Sequence, residues 1–214
     1  MAENARSGAA RLLAWAALAA AMIAPVAVAA TSPLLASRGA PYVIAGLAGA
    51  AGLALLLAQP LLAAGYLPGL RAATERRLHR RVGAGIALAV ALHVGGLYVT
   101  SPPDALDALL LVSPTPFSVY GVAAMWALIA TAALVALRGR LGLRPAAWRI
   151  AHNVLAVVIV IGSVVHAMLI EGTMGALSKT VLCGAVLAAT AVAVVHLRVL
   201  RPMRRRRAQA PGAG

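Results

Sequence analysis

Residues 82–100 read VGAGIALAVALHVGGLYVT, nineteen residues with no charge and one histidine. A helix of that length rises roughly 28 Å, and the hydrocarbon core of a bilayer is about 30 Å thick. The stretch is too long and too uniformly apolar for a strand or for one face of a soluble helix. It reads as a transmembrane helix. The eight residues before it, TERRLHRR, carry four arginines and a second histidine, as expected where a helix leaves the membrane on its basic side.

The rest of the chain repeats this pattern. Further apolar runs cover about 12–31, 42–64, 118–137, 150–170 and 177–199, which makes six with 82–100. Composition agrees: 62% of the 214 residues are hydrophobic and 11% charged, and mean hydropathy is +0.91. A soluble domain of this size could not hide so much apolar surface. The breakers Pro33, Pro41, Pro68, Pro102, Pro103, Pro114, Pro116 and Pro145 stand between runs, where turns belong. The expected fold is therefore all-α, a polytopic six-helix membrane bundle. A short N-terminal segment (1–11), one membrane domain (12–199) and a basic tail (200–214) account for the chain.

Arginine placement gives an orientation. Arg6 and Arg11 precede the first run; Arg71, Arg76, Arg77, Arg80 and Arg81 lie between the second and third; Arg138, Arg140, Arg144 and Arg149 lie between the fourth and fifth; Arg198, Arg201 and Arg204 to Arg207 close the chain. The alternate connections hold only Arg38, Lys179 and the acids Asp104, Asp107 and Glu171. Basic residues are retained on the cytoplasmic side, so both termini are expected in the cytoplasm and the protein in a bacterial-type inner (plasma) membrane. The net charge of +14 is thereby explained by topology and anionic lipid, and no nucleic-acid partner is expected. Ala27-Val28-Ala29 resembles a signal cleavage site, but the preceding run suits a spanning helix better than a short signal core. Cys183 is the single cysteine, so no internal disulfide forms, and its expected role is packing. Gly46, Gly49 and Gly52 lie inside an apolar run and suit close helix packing rather than a dinucleotide loop.

Histidines carry the functional reading. An ionisable side chain inside a membrane is costly and marks a candidate site. His79 and His93 are 14 residues apart in the third helix, and His152 and His166 are 14 apart in the fifth. Fourteen residues bring a side chain back to within roughly 40° of its start and about 21 Å along the axis. The third and fifth helices run parallel in space, so their histidines match in height: His79 with His152 near the basic end, His93 with His166 toward the other. Facing imidazoles from two helices are what axial ligation of a haem iron requires, and two levels make an electron path. His196, in the sixth helix, reaches the depth of the inner pair and is an alternative inner ligand. Arg76, Arg80 and Arg149 are candidates to pair with haem propionates. Gly83, Gly85, Gly95, Gly96 and Gly162 flank the histidines and leave room for a flat macrocycle, although close packing selects the same residues. The set is not compact enough for zinc.

The segments Arg77-Leu78-His79-Arg80-Arg81-Val82-Gly83 with His93, and Trp148-Arg149-Ile150-Ala151-His152 with His166, resemble the ferric reductase-like transmembrane domain. That family includes ferric reductases, NADPH oxidases and the haem-binding membrane subunit of the bacterial methionine sulfoxide reductase system. The resemblance implies a b-type cytochrome with His79, His93, His152 and His166 as axial ligands and two haem b groups per chain. It implies electron flow from a cytoplasmic donor to the periplasmic face, the chain serving as the electron-transfer subunit of a reductase. Only about 15 residues follow the last helix, so the donor is expected to be a separate flavin reductase or membrane quinol, with a periplasmic reductase as a further partner. Other readings are a cytochrome b anchor of a periplasmic oxidoreductase, a b561-like quinol carrier and, from another class, a proton-coupled or metal-ion transporter.

Overall fold

The computed structural model describes residues 2–203, with side chains from Gly8 onward. Arg204 to Arg207, the rest of the tail and the side chain of Arg6 lie outside the described residues. Helices α1 (Ala2–Ala30), α2 (Ala40–Ala64), α3 (Ala72–Thr100), α5 (Pro116–Ala136), α6 (Pro145–Leu169) and α7 (Ala176–Val195) follow one another, with a short α4 (Pro102–Leu109) between α3 and α5. Among the described residues there is no β-strand. Six helices are long and apolar enough to span a membrane, as expected from the runs.

Local chemistry explains most boundaries. Proline occupies the first turn of α2, α4, α5 and α6, where its missing N–H costs nothing and its fixed φ suits the helix. Gly65 ends α2 in the left-handed region at φ 76°, returning its N–H to the Leu61 carbonyl. Pro25 and Pro60 lie inside α1 and α2, which membrane helices tolerate. Two features depart from the hydropathy pattern. Helix α3 starts at Ala72, ten residues ahead of the apolar run at 82, so the arginine-rich stretch is helical and His79 lies in the third spanning helix as its spacing to His93 requires. The segment after Pro102 is a helix rather than a plain turn, and the Ser101 hydroxyl donates to Asp104 Oδ2 at 2.6 Å at its start.

Packing divides the bundle. Helix α3 lies chiefly against α2, and α6 chiefly against α5, giving two hairpins; α7 closes against α2 and α6, and α1 covers α2 and α7. The shared core contains Leu53, Leu57, Ile86, Val160, Leu182 and Val186. Cys183 is 2% exposed within it, a packing residue as its apolar setting suggested. Helices α3 and α6 bear the four histidines, and their paired rings face each other.

Candidate functional site

The structure brings the histidines together in the pairs that their spacing predicts. The rings of His93 and His166 have centroids 6.2 Å apart and planes at 81°. Those of His79 and His152 are also 6.2 Å apart, at 66°. An imidazole nitrogen binds a first-row transition metal at about 2 Å, and the ring centroid lies about 1 Å behind it, so two trans imidazoles on one metal stand about 6 Å apart. Both pairs have that separation.

The outer pair is held by its own hairpins. His93 Nδ1 lies 2.8 Å from the Ala45 carbonyl of α2, and His166 Nδ1 lies 2.8 Å from the Phe117 carbonyl of α5. A carbonyl only accepts, so Nδ1 is the donor and the neutral ring keeps its lone pair on Nε2. A backbone acceptor of this kind orients a metal-binding histidine and raises its basicity. Glycine makes the approach feasible. In a helix the carbonyl of residue i is screened by the side chain of residue i+4, and those residues are Gly49 and Gly121. A Cβ at Gly49 would stand 2.9 Å from His93 Nδ1, and one at Gly121 only 2.7 Å from His166 Nδ1. Residue typing did not single out these two positions as parts of the site. A trace was nevertheless available: Gly49 and Gly121 are 72 residues apart, and His93 and His166 are 73 apart, the mark of two similar hairpins.

The flanking glycines have another use. A Cβ at Gly96 would meet the Pro41 carbonyl at 2.8 Å, and one at Gly162 the Tyr120 carbonyl at 2.9 Å. Gly96 and Gly162 thus let the helices within each hairpin approach closely, whereas a Cβ at Gly95 would meet nothing within 4 Å.

The inner pair is less completely held. His79 Nδ1 donates to the Gln59 carbonyl at 3.3 Å, while His152 Nδ1 is buried without a partner, as is Gln59 Oε1. His152 is instead stacked on Trp148, with centroids 5.2 Å apart and planes 6° apart. Trp148 is anchored by Nε1 donating to the Leu134 carbonyl at 3.3 Å, and the Arg138 guanidinium lies 4.6 Å from its ring centre. His196 packs edge-on against Tyr66 at 5.2 Å. Arg149 lines a cleft with Arg198 and Arg201; Arg76 and Arg80 are on α3 beside His79. Among the described residues no three His, Cys, Asp or Glu side chains come together as a metal site.

Six spanning helices around two facing imidazole pairs define a membrane protein built on paired histidines. Residues 45–163, more than half of the chain, match the family model described as ferric reductase like transmembrane component, and the chain belongs to that family. Membership assigns it to membrane electron transfer. The matched span includes His79, His93 and His152 and stops three residues before His166. No curated protein and no solved structure matches the chain.

The glycine cradles give a direct test. Gly121→Ala forces a methyl group against a hydrogen-bonded ring, and overpacking of this kind costs about 1–3 kcal/mol. Thermal unfolding in detergent should show a clear fall in Tm for Gly121→Ala and for Gly49→Ala. Gly184→Ala, where a Cβ meets nothing within 4 Å, should leave Tm unchanged or slightly raised. Equal Tm values for all three would show that the rings are not held as described.

Proposed function

We propose that the protein is a transmembrane b-type cytochrome carrying two haem b groups, the outer held by His93 and His166 and the inner by His79 and His152. The observation that carries this reading is the matched 6.2 Å separation of both imidazole pairs between α3 and α6. Two protein donors per level suit a group that brings four donors of its own. Such a group, when bound, accepts and releases one electron at a time.

The chain's residues then have distinct tasks. The carbonyls of Ala45, Phe117 and Gln59 fix Nδ1 as the donor on three rings and leave Nε2 free. Trp148 fixes the plane of the fourth. Arg76, Arg80 and Arg149 supply positive charge at the inner level, where propionates need it.

The arginine-rich end faces the cytoplasm in this reading, with 12–199 as the membrane domain and 1–11 and 200–214 flanking it on that side. Electrons enter there from a flavin reductase or quinol and leave at the periplasmic face of an inner membrane, to a reductase partner or another acceptor. The test is haem quantification on purified protein. Two haem b per chain and a dithionite-reducible low-spin spectrum are expected, and colourless, fully folded protein that takes up no added haem would refute the proposal.

A further inference from the structure

A cleft of about 480 Å³ lies between the first turns of α6 and the end of the last span, lined by Trp148, Arg149, Asn153, Leu197, Arg198 and Arg201, together with Pro202. Three arginines line it, and among the described residues no acidic side chain does. The positive-inside rule accounts for arginines at this end of the bundle, but not for their gathering around one cleft with one of them tethered. Arg198 Nη2 donates to the Arg149 carbonyl at 2.7 Å. Arg198 sits in a π-helical turn, His196–Leu200, that continues α7. Such turns are rare and concentrate at functional sites. The tether uses one of the five N–H donors of the guanidinium and leaves the others for a ligand.

We infer that this cleft binds the phosphate of an anionic phospholipid headgroup. Three arginines lining one cleft, with no acidic side chain among the described lining residues, select an anion, and guanidinium groups match phosphate oxygens in pairs. Trp148, Leu197 and Pro202 give the same cleft an apolar wall, which suits a ligand that is part acyl chain and part phosphate. Basic pockets between membrane helices at the cytoplasmic side recognise lipid headgroups in this way. The shared chemistry also fits a soluble phosphate monoester, which lacks the apolar part. Trp148 both walls the cleft and stacks on His152, so the ligand would sit next to the inner histidine pair.

The test uses the full-length protein, stripped of lipid in detergent and titrated with phosphatidylglycerol or phosphatidylcholine under native mass spectrometry. One phosphatidylglycerol should be retained per chain in preference to phosphatidylcholine. The double variant Arg198→Gln, Arg201→Gln should lose about thirtyfold in affinity, since each charge contributes a factor of about five at an anionic surface. The matched double variant Arg140→Gln, Arg144→Gln removes the same charge outside the cleft and should bind as the unaltered protein does. Equal retention of the two lipids, or equal losses in the two variants, would overturn the assignment. Displacement of the lipid by millimolar glycerol phosphate would transfer the site to a soluble phosphate and likewise overturn it. Loss of haem without loss of lipid in the Arg198, Arg201 variant would reassign these arginines to propionates.

Discussion

Replacing His93 or His166 by alanine is expected to remove the outer haem completely, lowering the haem content from two per chain to one. His93 lies in the apolar part of α3 and His166 in the last turn of α6, and both rings are pre-set by 2.8 Å hydrogen bonds. An alanine there loses the ligand and leaves a buried carbonyl with one acceptor site unused, a cost of about 1–3 kcal/mol that the helical bond to the same carbonyl reduces. Either variant should therefore fold, lose half of the reduced-minus-oxidised absorbance and retain the spectrum of the inner site. Full haem content and an unchanged reduced spectrum in both variants would exclude His93 and His166 as a ligand pair.

The second large effect concerns the inner level and separates two ligand sets. His79→Ala should also take the chain from two haems to one, this time with the outer spectrum retained, while His196→Ala should leave two. The ring of His79 faces His152 at 6.2 Å, whereas that of His196 rests on Tyr66. If haem loss follows His196→Ala and not His79→Ala, the inner pair is His152 with His196. The inner site should also release its haem first during dilution or mild denaturation. Its His79 hydrogen bond is the longest of the three, at 3.3 Å, and its His152 Nδ1 has no acceptor. Metal-binding histidines without such a partner bind more weakly, by about 10–100-fold.

The spans were legible because hydrocarbon thickness imposes a length on every helix that crosses it, and this sequence keeps charge out of each run. Hydropathy does not register a helix that extends beyond its apolar run, so the first ten residues of α3 and the eight-residue α4, which begins with the Pro102-Pro103 pair, leave no trace in it. The histidine pairs were legible because two equal spacings of 14 on parallel helices have few other causes. Their supports were not. Ala45, Gln59 and Phe117 act through backbone carbonyls, which every residue type has, and no side-chain pattern reports them. Nothing in the sequence separates Gly49 from a general packing glycine or marks Gly121, because the need for glycine there arises only once a ring from another helix is in place. Trp148 has no task visible in the sequence, since its stacking on His152 depends on the first turns of α6 lying as they do.

Each histidine pair takes one member from the α2–α3 hairpin and the other from the α5–α6 hairpin, so neither hairpin contains a finished site. A ribosome releasing about 5–20 residues per second needs roughly 4 to 15 s to pass from His79 to His152. During that interval the first hairpin stands in the bilayer with two imidazoles facing lipid or translocon and nothing opposite them. In the proposed cytochrome, cofactor delivery would therefore be a late event in biogenesis, confined to chains whose fifth span has been inserted. A truncated or stalled product would remain colourless, a property that quality control could read.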